Sequence, residues 1–281
     1  MRHFILLLTI SALTIHSSFG QSHPDWEESD RKIIAILTSI NRENPREVEA
    51  AFAINGNIPK QNLGFGWKQS FLALTGGYIH IYACLYYYND NIVSYTIQPE
   101  LPYQRDLKEK YLNWYGRDYT LFDTVVYEYR NTKVEKVVMR PFKYHEDEIL
   151  KPLTEFVNKD EIKLSEKMLE YMSPGSGMEY GWGGGYPPTM FRNRKAFNQL
   201  KDSLTMDEAR VLLYSINPAS RLTAIEFYRK KDPTLLQEPD ISCWIERIYE
   251  EVPEIFTLNG CLGRLQNCRE LVEKYSKIDL K

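Results

Sequence analysis

The stretch LTMDEARVLLYSINPASRLTAIEFYRKK, residues 204–231, specifies two consecutive helices. Thr205 is a good N-cap and Glu208 lies three residues on, so each side chain can accept the other's backbone N–H across the first turn. Ala209, Leu212, Leu213 and Ile216 then recur at helical spacing. Asn217 caps the second helix, and Pro218 takes its first position, where a missing N–H costs nothing. Leu222, Ile225 and Tyr228 carry the apolar stripe onward.

The same period runs outward from this pair. Ile241, Trp244, Ile245, Ile248 and Val252 fit a helix over 241–252, and Leu265, Cys268, Leu271, Val272 and Tyr275 fit one over 265–277. Upstream, 193–202 and 160–172 read as helices. Between those two lies SPGSGMEYGWGGGYPPTMF, residues 173–191, whose glycines and prolines argue against regular structure. The expected C-terminal domain, 159–281, is therefore all-α, with a Gly/aromatic loop at 173–191.

The first half reads differently. Trp26–Ile40 and a segment opened by Asn44-Pro45 are helical, and 57–66 is expected as loop. Trp67–Leu74 is a strand, Gly76-Gly77 a turn, and 78–88 alternates. Ile79, Ile81, Ala83, Leu85 and Tyr87 face one way; His80, Tyr82, Cys84, Tyr86 and Tyr88 face the other. Asn89-Asp90-Asn91 predicts a hairpin back through 92–98. A short helix over 105–115 and a second hairpin, 121–130 with 134–140, follow. The expected fold class is α+β: an N-terminal antiparallel sheet with helices over 21–158, then the helical domain.

NPASRLTAIEFYRKKDP, residues 217–233, resembles the second helix of a HEAT-type repeat, with Pro218, Arg221, Ala224 and Phe227 at the matching places. Together with VPEIFTLNGC, 252–261, it is similar to C-terminal regions of uncharacterised exported proteins of Bacteroidota. The resemblance implies a HEAT-like helical scaffold over about 204–261 and brings no catalytic residues. No second copy recurs at a fixed period, so a full solenoid is not expected.

The beginning of the chain reads as a signal peptide, residues 1–20: Arg2 and His3, the apolar run Phe4–Ile15, then Ser17-Ser18-Phe19-Gly20. A secreted or periplasmic protein is expected, starting near Gln21. No stretch reaches ~18 apolar residues, so no transmembrane segment is expected. The formal charge of −3 is near neutral and argues against nucleic acid as a partner.

Export permits disulfides among Cys84, Cys243, Cys261 and Cys268. The expected bridge joins Cys243 to Cys261 or Cys268 and fastens the last helix; the alternative is four thiols. No CxxC and no His/Cys spacing suggests a metal, and no nucleotide-cradling pattern suggests a cofactor.

Catalytic constellations are hard to assemble. Behind the leader only His23, His80 and His145 remain. His80 and Cys84 lie roughly 13 Å apart along a strand, too far for a nucleophile and its base. Tyr144–Glu148, with His145 and three acids, is contiguous and reads as a solvated charged stretch. The functional candidates are aromatic: Tyr180, Trp182 and Tyr186 on the Gly-rich loop, able to stack on a sugar ring or clasp a peptide, and Tyr82, Tyr86 and Tyr88 on a Tyr-rich sheet face that packs on a helix or a partner. The bland alternative for the loop is a linker with tucked aromatics. The expectation is a non-enzymatic binding or scaffold protein of the envelope or exterior, taking a protein, peptide or glycan. The alternatives are a hydrolase of glycan or peptide with a site between the domains, and an inhibitor or immunity-type protein.

Overall fold

A computed structural model of the protein describes residues 24–41, 43–53, 58–100, 122–129, 132–139, 142–144 and 164–278. The expected signal peptide, His23, the expected helix over 105–115, His145 and the first residues of the helix expected over 160–172 lie outside the described residues. The chain groups into two compact units. One contains Met1–Pro59, Ser70–Leu85 and Ser94–Tyr144; the other contains Lys60–Gln69, Tyr86–Val93 and His145–Lys281.

The first unit begins with α1 (Pro24–Ser39) and α2 (Pro45–Phe52). Ile33, Ile34 and Leu37 of α1 are buried, as their spacing requires. Asn44 caps α2 by accepting the Arg46 N–H, with Pro45 in the first turn. The main sheet has five strands in the order β1 (Gln61–Gly64), β2 (Trp67–Thr75), β3 (His80–Tyr88), β4 (Asn91–Glu100) and, after β5 and β6, β7 (Phe142–Tyr144). The inward set on β3 is the expected one: Ile79, Ile81, Ala83, Leu85 and Tyr87 are fully buried. Asn89 and Asp90 both have positive φ, the backbone of a two-residue hairpin. β5 (Phe122–Tyr129) and β6 (Thr132–Met139) form the second expected hairpin, with Tyr129 opposite Thr132.

The second unit contains α3 (Glu166–Met172), β8 (Gly183–Gly184), β9 (Thr189–Met190), α4 (Arg192–Leu200), α5 (Met206–Leu212), α6 (Pro218–Lys231), α7 (Pro239–Glu251), β10 (Glu254–Asn259), β11 (Leu262–Asn267) and α8 (Cys268–Ser276). The capping box of Thr205 and Glu208 opens α5, with both reciprocal bonds made. Asn217 caps α6 and also donates its amide to Ser173 O, Ser176 Oγ and Gly177 O. Every residue from Pro218 to Tyr228 is buried, because α4, α5 and α8 pack around α6. A helix enclosed on all sides must satisfy its own polar residues internally. Ser220 and Thr223 do so by bonding carbonyls of Tyr171 and Ala219.

Three expectations are corrected. The C-terminal part is not all-α: β10 and β11 form an antiparallel hairpin in register, with Glu254 opposite Asn267 and Asn259 opposite Leu262. Leu265 falls on that strand, and the last helix begins at Cys268. Helical spacing across 265–275 extended the helix too far, while the turn signal Asn259-Gly260 outweighs it locally. Residues 61–64 are strand, not loop. They pair with β2 through Gly64, Phe65 and Gly66, which all have positive φ. Phe65 tolerates that conformation because its N–H donates to Glu251 Oε2 and its ring stacks on Trp244 at 4.7 Å. Finally, no disulfide joins any cysteines among the described residues. Cys243 lies exposed on α7 and Cys261 exposed at the β10–β11 turn, while the Cys268 thiol is buried; burial pushes its pKa up to about 12.

Candidate functional site

The Gly-rich loop is pinned at both ends. The Tyr180 N–H donates to Phe256 O at 3.1 Å, and the Gly185 N–H donates to Gly260 O at 2.7 Å. Residues 180–185 therefore run alongside β10 in the same direction. Within the loop, Gly183 pairs with Met190 and Gly184 with Thr189. This small ladder overturns the reading of 173–191 as wholly irregular. Glycine here permits close approach: a Cβ on Gly184 would lie 2.4 Å from Leu258 Cβ. Gly184→Ala should therefore destabilise the protein by about 1–3 kcal/mol through overpacking. Denaturant unfolding followed by tryptophan fluorescence measures this; an unchanged midpoint would show that loop and hairpin are not in register contact.

Beneath the loop lies a buried ionic cluster. Tyr180 is 1% exposed and its hydroxyl donates to Glu226 Oε2 at 3.1 Å. Arg194 of α4 forks onto the same carboxylate, at 3.1 Å to Oε1 and 2.5 Å to Oε2, while its Nε donates to Gly181 O. Lys230 adds a 3.0 Å contact from the next turn of α6. Burial pushes the Glu226 carboxyl up, but Arg194 and then Lys230 hold it below the ordinary carboxylate range. Burial, reinforced by the Glu226 charge, drives the Tyr180 phenol well above its ordinary value. Both oxygens of Glu226 are engaged and the group stays ionised, which suits an anchor for the loop and not a proton acceptor.

The outer side of the same substructure is apolar. Five of the eight large apolar side chains exposed among the described residues belong to it: Trp182, Tyr186, Phe256, Leu262 and Leu265. Phe256 and Leu265 are cross-strand partners and so share a face. The Phe256 ring covers Gly263, where a Cβ would meet it at 2.4 Å. Neither 180–191 nor 255–263 carries a charged residue. The surface thus offers aromatic and aliphatic area on a braced backbone, with Glu254 and Arg264 the charged residues of the hairpin.

The five tyrosines and one tryptophan expected as ligand contacts separate. Trp182 and Tyr186 are displayed, at 44% and 92% exposure. Tyr180 is corrected to a core residue, since its phenol finds Glu226 inside. Tyr82 is half-buried in the first unit, stacked on Phe71 at 5.7 Å. Tyr86 and Tyr88 pack against the core of the second unit, and Tyr88 lies against Trp67 at 4.8 Å. All three sheet tyrosines are half-buried. Phe256 and Leu265 share a face only because the segment is a hairpin, and Leu262 is exposed beside its turn; the Asn259-Gly260 turn was the available signal. Arg194 and Glu226 had no local signal beyond an acid set between Ile225 and Phe227.

Among the described residues no three His, Cys, Asp or Glu side chains converge to hold a metal ion. No helix among them is long and apolar enough to cross a membrane. No protein-family model matches the chain, and no curated protein or solved structure is similar to it.

Proposed function

We propose that this chain is a non-enzymatic binding protein of the cell envelope or exterior, and that the Gly/aromatic loop with the β10–β11 hairpin is its recognition surface. One observation carries the reading: most of the large apolar side chains exposed among the described residues gather on this one braced substructure, whose stretches 180–191 and 255–263 carry no charge. Aromatic rings on such a platform suit a ligand with flat apolar faces, such as the rings of a neutral saccharide. A rigid surface also loses little conformational entropy on binding. Export is the part of the reading supported by the leader-like start of the chain. The α5–α6 pair, which bears the HEAT-type resemblance, acts in this reading as scaffold, since α6 supplies Glu226 under the loop.

The test is a double replacement, Trp182→Ala with Tyr186→Ala. Two stacked rings contribute about 1–3 kcal/mol together, so affinity for a neutral oligosaccharide identified by array screening should fall about fivefold or more. Both side chains are exposed, so the thermal midpoint should stay within a degree or two of wild type, as surface changes usually do. Full retention of affinity in the double variant would discard this surface as the site.

A further inference from the structure

A separate concavity of about 230 Å³ lies between α3 and α4. Its rim carries Lys167 from α3 with Arg192 and Lys195 from α4, against one acid, Glu170. Arg192, Lys195 and Gln199 occupy one stripe of α4, at the i, i+3, i+7 spacing that aligns side chains along a helix face. Among the described residues neither Lys167 nor Lys195 is in an ion pair with Glu170 or any other acid. This convergence occurs in a chain with more acids than bases overall. Three like charges around one small concavity repel one another, and an anion held among them reverses that cost.

The walls are fixed in advance. Buried Asn193 accepts from the Tyr171 hydroxyl at 3.3 Å and donates to Ser176 Oγ at 3.1 Å and Ser220 Oγ at 2.8 Å. It thereby ties α4 to α3, to the turn after it and to α6. Arg192 donates to Gly175 O at 2.5 Å, which holds its guanidinium at the rim while leaving other donors for a ligand. Cations on a pre-organised frame recognise tetrahedral oxyanions through charge-assisted hydrogen bonds.

We propose that the concavity between α3 and α4 binds a phosphate or sulfate group, with Lys167, Arg192 and Lys195 as its ligands. The site is distinct from the aromatic surface and does not depend on what that surface binds.

Isothermal titration of the purified chain, in a buffer free of both anions, should detect saturable binding of at least one of three probes: inorganic phosphate, inorganic sulfate, or a 6-sulfated disaccharide. Binding of the inorganic ions identifies a free-anion site; binding of the disaccharide alone identifies an ester-bearing ligand. Lys195→Glu and, separately, Lys195→Gln should weaken the bound probe, the former by about tenfold or more, as expected for losing a charge-assisted contact. Lys231→Glu, a charge change on α6 outside this concavity, should leave the affinity unchanged. All these residues are exposed, and matching thermal midpoints check folding. The proposal is overturned if wild type binds none of the probes, or if Lys231→Glu weakens binding as much as Lys195→Glu does.

Discussion

Replacing Glu226 by Ala should lower the unfolding free energy by about 3–5 kcal/mol, the usual cost of stranding one member of a buried ion pair. Arg194 would lose the partner of its guanidinium in a site where it is 2% exposed, and the Tyr180 hydroxyl would lose its carboxylate acceptor. The double change Arg194→Met with Glu226→Leu should recover much of the loss, because a well-packed apolar pair avoids the desolvation of both charges. Urea unfolding of the three proteins decides this; equal loss in the single and double variants would mean that packing, not charge, holds the cluster. The sign of the pH effect follows from the lowered Glu226 carboxyl. Its contribution is fully present above the unfolded carboxylate value of about 4.3 and is lost as pH falls through the lower folded value. Glu226→Gln should therefore flatten the acid limb of a plot of thermal midpoint against pH.

Asp30→Ala should cost at least about 3 kcal/mol, since three buried or half-buried backbone donors would lose their acceptor at about 1–3 kcal/mol each. The Asp30 carboxylate, on α1, accepts the N–H groups of Gly77, Tyr78 and Ile79 at 2.9 to 3.2 Å. It thereby holds the turn that leads from β2 into β3. Gly76 allows the approach, because a Cβ there would lie 2.0 Å from Asp30 Oδ1. Asp30→Asn should be milder, since Oδ1 alone reaches all three donors and an amide oxygen can replace it. Calorimetric unfolding of both variants tests the order; an Asn variant as unstable as the Ala variant would show that charge, not acceptor position, matters at this turn.

What could be read directly was what is local. Thr205 with Glu208, and Asn217 with Pro218, announce helices whose first-turn bonds are all made within a few residues. The alternation of β3 is likewise a property of consecutive positions. What escaped depends on distant partners. Tyr180 reads as a ligand contact until Glu226, 46 residues on, takes its hydroxyl. The Gly-rich loop reads as disorderly until β10 supplies Phe256 and Gly260 carbonyls for its backbone. The segment 265–275 satisfies a helical template, and only pairing with 254–259 reveals that its first residues are strand. The aromatic site was half legible for the same reason: Trp182 and Tyr186 stood out by composition, while Phe256 and Leu265 needed the hairpin to bring them together.

The placement of β1 has a consequence for synthesis. Asn62 bonds the carbonyl of Glu251 across 189 residues, and Arg221 bonds the carbonyl of Leu63 across 158. A nascent chain that has just made the Phe65 turn has nothing to seat it on. At ribosomal speeds of about 5–20 residues per second, the partner helix emerges roughly 10–40 s later. Over that interval Leu63, Phe65 and Trp67 lack their partners, and this part of the second unit cannot close until α7 has been made.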